Sequence, residues 1–194
     1  MALPDVILKT QEQLLREVNA LWSTMPVPDW KAPESELTGT ELEHVELAYY
    51  LAGRSYDEAR HLLHESLESV LTWCRPDVAT YYLADYLLNA IEDLGPDACR
   101  ADLQHLHLNS FLRVKPLYRE VYEHILQIAP AVIPIVGRYG ELLELCRQAG
   151  PPPDWLESEP WPEEPELIER IRATWRDRDA FEQAIKAFRA SEGD

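Results

Sequence analysis

Two Glu-x-x-His pairs stand out among the residues able to do chemistry: Glu41 with His44, and Glu58 with His61. At i, i+3 on a helix, a carboxylate and an imidazole share one face. Two such motifs, joined by glutamates from two further helices, make a carboxylate-bridged di-metal bundle. His64 follows His61 at the same spacing, with Glu65 beside it. Two arguments oppose a metal centre. The pairs fall on consecutive helices either side of Gly53, whereas such bundles place other helices between them. With 35 acidic residues in the chain, the spacing also arises from composition alone. The expectation is ordinary helix histidines. Glu41, His44, Glu58 and His61 are the ligand set of the alternative reading, a metal-dependent helical enzyme. Neither H-E-x-x-H nor a Cys/His zinc spacing occurs in the sequence, and no cofactor is expected.

Covalent catalysis has less support. There is no G-x-S-x-G and no glycine-rich phosphate loop. Cys74 lies between Trp73 and Arg75 near a helix end. The arginine would lower its pKa, but a helix C-terminus raises it. Cys99 and Cys146 read as small apolar residues on helices, and three widely spaced cysteines predict free thiols in a reducing compartment. His105 and His107, followed by Asn109, read as the end of a helix. No catalytic residue is expected.

Charge is the remaining clue. The 194 residues carry 18 basic and 35 acidic side chains, a formal net charge of −17. Such a surface repels a phosphate backbone and anionic lipid, so neither nucleic acid nor membrane is an expected partner. Asp5, Lys9, Gln11 and Glu12 interrupt any apolar leader at the start, and no run reaches the ~20 apolar residues of a spanning helix. Lys and Arg are absent from 32–53, 76–99 and 148–169. The first window holds Glu34, Glu36, Glu41 and Glu43. The last holds Glu157, Glu159, Glu163 and Glu164, with Trp155 and Trp161 among them. A carboxylate field speeds the approach of a basic protein, and aromatic side chains anchor it. These ten residues are therefore the candidate contacts for a basic partner. Solvated helix faces are the competing explanation.

The elements that position these residues read as helices throughout. Leucine occurs 28 times against 10 valines and 9 isoleucines, and there are only 7 glycines. The first helix has an apolar stripe of Val6, Leu14, Val18 and Leu21, widened by Leu15 and Trp22, and Pro26, Pro28 and Pro33 follow it. A second helix is predicted from Thr38 or Thr40 to Gly53. A third opens on the Ser55/Glu58 capping box and runs to Trp73. A fourth, from Pro76 to Gly95, is apolar on most sides and reads as the central one. Further helices are predicted over 97–107, 116–128 and 131–148. Six prolines between Gly150 and Pro165 mark an extended connector, and two tail helices follow, the second starting at Asp179/Glu182. The predicted architecture is all-α, a multi-helix bundle of about seven to nine helices with irregular packing. It comprises a core over 1–149, a connector over 150–165 and a helical segment over 166–194.

Ala48 to Ala59 is similar to the turn of a tetratricopeptide unit, and Tyr81-Tyr82-Leu83-Ala84 echoes Tyr49-Tyr50-Leu51-Ala52. No third copy follows, and solenoids need several units, so a single hairpin is expected. The four tyrosines mark either the core or a surface for homo-oligomerisation. Pro76 to Leu87, PDVATYYLADYL, resembles the signature helix of a bacterial family of unknown function, approximately P-E-A-F-R-Y-Y-L-P-A-Y-L. The order of features before it also matches, including a Gly-x-x-Tyr turn at Gly53 to Tyr56. Ala79, Thr80, Ala84 and Asp85 depart from the pattern. The resemblance covers about residues 1–112 and implies an all-α, bacterial, cytoplasmic protein; it carries over no catalytic residue and implies nothing about chemistry. The function expected is a non-enzymatic acidic binding module, an immunity or inhibitor protein that neutralises a basic toxin or nuclease.

Overall fold

The least polar stretch of the chain becomes the axis around which the rest is built. In the computed structural model, described for residues 4–29, 51, 53–59, 70, 74–92, 94, 103–150 and 165–191, every residue from Val78 to Leu88 is buried. The architecture is all-α, with no strand among the described residues. In chain order it comprises α1 (Asp5–Trp22), α2 (Tyr56–Ala59), α3 (Pro76–Glu92) and α4 (Leu103–Leu112). A 3₁₀ turn (Pro116–Tyr118) leads into α5 (Arg119–Gln127), followed by α6 (Val132–Ala149), α7 (Pro165–Thr174) and α8 (Arg178–Ser191). The central helix α3 touches α1, α2, α4 and α5, while α6 packs between α1 and α7.

The buried stripe of α1 is Ile7, Gln11, Leu14, Val18 and Trp22. This corrects the apolar reading, in which Val6 and Leu21 belonged to the stripe: Val6 is 55% exposed. The seam runs through a polar residue, which a hydrophobic pattern overlooks. Gln11 is admitted because its Nε2 donates to the carbonyl of Ile91 at 2.7 Å, at the end of α3. At the other end of α1, Trp22 Nε1 donates to the Thr80 carbonyl at 3.2 Å. Two polar anchors thus set the register of α1 on α3 within an apolar interface.

The Ser55/Glu58 box forms as its spacing predicts. Ser55 N donates to Glu58 Oε2 at 2.8 Å, and Glu58 N donates to Ser55 Oγ at 3.2 Å. Gly53 adopts φ +72°, with Arg54 N bonded to Leu51 O, so the preceding helix ends where predicted. The rest of the second and third predicted helices lies outside the described residues. Tyr81 and Tyr82 belong to the core rather than to a surface, at 4% and 1% exposure. Tyr82 Oη sits 2.6 Å from Leu51 O and 2.8 Å from Arg54 O, tying the turn to α3.

Helix α4 runs to Leu112, beyond the end predicted at residue 107, so the His105–Asn109 stretch is helix interior. The reason is tertiary: Phe111 and Leu112 are buried, and other helices satisfy their carbonyls. Tyr122 Oη donates to Phe111 O at 2.6 Å, and Trp175 Nε1 donates to Leu112 O at 2.8 Å. The chain then turns through Val114 at φ +53°. Phe111, Tyr118, Tyr122, Trp175 and Phe181 form one aromatic cluster here, with ring centroids 4.3–6.3 Å apart.

Pro134 sits in the first turn of α6, where its missing donor costs nothing, so the β-branched run at Val132–Val136 is helical. Farther along, Gly137 and Gly140 let α7 approach to backbone contact. A Cβ on Gly137 would lie 2.5 Å from the Trp175 carbonyl oxygen. The tail breaks between Trp175 and Arg178, as the jump in apolar phase predicts. The cap differs, however. Asp177 Oδ1 accepts from Ala180 N at 2.9 Å, in place of the Asp179/Glu182 signal, and Glu182 pairs with Lys186 instead.

Candidate functional site

Most of the residues singled out in the sequence, Glu34, Glu36, Glu41, Glu43, His44, His61, Trp155, Glu157, Glu159, Trp161, Glu163 and Glu164, lie outside the described residues. Glu58 is described, and its carboxylate closes the capping box. Both Ser55 bonds hold its pKa below the usual carboxylate value. Among the described residues no group of three or more His, Cys, Asp or Glu is placed to hold a metal ion. No helix among them is long and apolar enough to cross a membrane.

The described thiols are poorly placed for nucleophilic work. Burial pushes Cys74 up to about 12, with Asp77 adding to the rise, and burial alone pushes Cys146 to about 12. Since the thiolate is the nucleophile, neither ionises appreciably at neutral pH. Arg75, which the sequence set beside Cys74, is turned elsewhere. Its Nη2 and Nε donate to the two oxygens of Asp77 at 2.9 and 3.2 Å, and Nη2 also donates to Asp29 O at 3.1 Å.

A different constellation emerges where three helix ends meet. A groove of about 560 Å³ lies between the chain leaving α1 (Leu21, Met25 to Asp29), the first turns of α3 (Asp77, Thr80, Tyr81) and the end of α5 (His124, Ile128). Local sequence creates it. Prolines at 26 and 28 forbid continuation of α1 and carry the chain across the molecule in extended form. On the far side Ile128 N donates to His124 O and Ala129 N to Ile125 O, so α5 ends abruptly before Pro130.

The walls are apolar, and two of the large hydrophobic residues exposed on the described surface line them: Val27 at 41% and Ile128 at 71%. Polar groups are few. Thr80 is buried, its hydroxyl donating to Pro76 O at 2.7 Å. Burial lowers the pKa of His124 below 6.5, although Asp77 pulls the other way, so the imidazole is mainly neutral at pH 7. Asp29 and Asp77 supply the acidic groups of the lining. Chemically the lining is mostly apolar, with the Asp29 and Asp77 carboxylates at its edge, the latter paired with Arg75.

Sequence reasoning passed over this groove. Its signals were Val27 between two prolines, and Ile128 just ahead of Pro130. Each is ordinary alone, and only the packing of α1, α3 and α5 joins them.

The charge of the chain is unevenly placed. Lys and Arg are absent from 32–53, 76–99 and 148–169, so the acidic surplus is concentrated along the sequence. No protein-family model matches this chain, and neither a curated protein nor a solved structure does.

Proposed function

We propose that this protein is a non-enzymatic binding module that captures a basic protein partner, in the way immunity or inhibitor proteins neutralise a basic toxin or nuclease. The observation that carries this reading is the charge pattern of the sequence: a formal net charge of −17, with Lys and Arg absent from 32–53, 76–99 and 148–169. A field of one sign raises encounter rates by about 10–10³-fold without requiring a reaction centre. Exposed Val27 and Ile128 supply the complementary short-range term, because affinity comes mainly from a few desolvated apolar anchors rather than from rim charges. Glu34, Glu36, Glu41, Glu43, Glu157, Glu159, Glu163 and Glu164 are assigned to steering, with Trp155 and Trp161 as further anchors.

The decisive experiment uses the product of the adjacent reading frame, mixed with this protein at low ionic strength. We expect a stoichiometric complex whose association rate falls steeply with salt. Ile128→Asp should increase the dissociation rate and leave the steering intact. Absence of a complex ends the immunity reading. Purified protein containing stoichiometric iron, manganese or zinc, lost on changing His44 and His61, would overturn the binding-module reading altogether.

A further inference from the structure

A second concavity lies on the opposite chemistry from the groove. Between α6 and the end of α7, a cleft of about 260 Å³ is lined by Pro134, Gly137, Arg138, Glu141, Arg172 and Arg176. Three of the 18 basic residues of a chain at −17 converge here, with one carboxylate among the lining residues. We infer that this cleft binds a phosphate-bearing small molecule, a phosphomonoester whose phosphoryl group is held by Arg138, Arg172 and Arg176.

The helix crossing builds the cleft. Because Gly137 carries no Cβ, the Trp175 backbone comes down onto α6, and this crossing brings Arg172 and Arg176 to line one cleft with Arg138. Arg172 and Arg176 are four positions apart. Arg172 is in the last turn of α7 and Arg176 lies two residues past its end; both guanidinium groups line the one cleft, where a bound dianion would attract both.

Carboxylates nearby orient two of the guanidinium groups without using up their donors. Arg138 Nη1 donates to Glu17 Oε1 at 2.7 Å, and Arg176 Nε donates to Asp177 Oδ2 at 2.7 Å. Each bond takes one N–H of the five that a guanidinium offers. Arg138 Nε is buried and has no hydrogen-bond partner, an uncompensated donor in a partly covered ion pair. Arg172 forms no ion pair among the described residues. Glu144, whose pKa it helps to lower, is already bonded by Arg147 and Gln148. Planar guanidinium forks match phosphoryl oxygens better than lysines do, and the cleft is larger than a bare phosphate requires.

The test is titration of the full chain with inorganic phosphate and with glycerol phosphate, followed by amide chemical shifts. A salt concentration giving a Debye length of about 8 Å screens the distant acidic segments and leaves contact hydrogen bonds in place. Both probes should bind saturably, glycerol phosphate more tightly. Arg172→Gln and Arg176→Gln should each weaken binding by about tenfold or more. Glu141→Gln should tighten it about threefold, since it removes the carboxylate that opposes the ligand. Arg178→Gln, an exposed arginine outside the cleft, should leave affinity unchanged, and unaltered thermal midpoints would show that the variants fold. Failure of both probes to saturate overturns the inference. Equal weakening by Arg178→Gln, or no tightening by Glu141→Gln, overturns it as well.

Discussion

Gln11 and Ile91 are 80 positions apart in sequence and joined by a 2.7 Å hydrogen bond, amide Nε2 to carbonyl oxygen, in a buried interface. The bond serves two purposes. It adds a short bond to a carbonyl in the last turn of α3 whose other donor is Leu94 N at 3.3 Å, and it fixes the sliding register of α1 on that helix. Gln11→Leu should cost about 1 kcal/mol in urea denaturation, the net worth of the lost bond, since Leu94 N still donates to the same carbonyl at 3.3 Å, although leucine is the more apolar residue. Gln11→Glu should cost more at neutral pH and recover toward acid, where a protonated carboxyl can donate again. A neutral or stabilised Gln11→Leu would show that the bond contributes nothing.

Gly137 and Gly140 should not be equivalent. Adding a Cβ at Gly137 meets backbone, the Trp175 oxygen at 2.5 Å, whereas at Gly140 it meets Ile171 Cγ2 at 2.8 Å and Arg172 Cγ at 3.0 Å. Side chains move more cheaply than a helix backbone. We therefore expect Gly137→Ala to destabilise by about 2–3 kcal/mol and Gly140→Ala by about 1 kcal/mol, despite alanine's better helix propensity. Thermal midpoints in the reverse order would contradict this account of the crossing.

Val114 holds φ +53°, a conformation that a β-branched side chain adopts at a cost of about 1–3 kcal/mol. Here the capped end of α4 imposes it, with Val114 N donating to Phe111 O at 3.0 Å. Val114→Asn should stabilise by about 1 kcal/mol, because asparagine tolerates this region and the side chain is only partly buried. A fall in stability on chemical denaturation would mean that the valine contacts outweigh the strain.

Acid should weaken the fold in a window set by named groups. Bonds from Arg147 and Gln148 hold the Glu144 pKa down to about 2 from 4.5, and Ala180 N with Arg176 lowers Asp177. A carboxyl depressed in the folded state takes up protons more readily when unfolded. Its contribution is therefore complete above 4.5 and lost as pH falls toward 2. His124, lowered from 6.5 by burial, acts in the same direction in a higher window. Glu144→Gln should flatten the stability profile between about pH 4.5 and 2 without altering helicity at pH 7. An unchanged slope would remove Glu144 from the account.

On the proposal that they steer a partner, reversing Glu157, Glu159, Glu163 and Glu164 to lysine should leave the thermal midpoint nearly unchanged. It should slow capture of a basic partner markedly, measured as a loss of association rate that salt no longer modulates. Aggregation or unfolding of the variant would place those carboxylates in the fold instead.

Residue types and spacings alone determined that this chain is helical, that α3 is its axis, and that Ser55 with Glu58 opens a helix. They also set the break before α8. These features rest on local chemistry: rotamer freedom, capping geometry and the conformational limits of proline and glycine, which act within about one turn of helix. Packing decided the rest. Gln11 entered the α1 seam because its amide reaches a carbonyl 80 positions away at 2.7 Å. Helix α4 outran His107 because Tyr122 and Trp175 satisfy its last carbonyls. The groove between Val27 and Ile128, and the arginine cleft beside Gly137, each join segments distant in sequence. No local preference encodes such a meeting. It follows from which apolar faces bury one another and from how closely two backbones can approach.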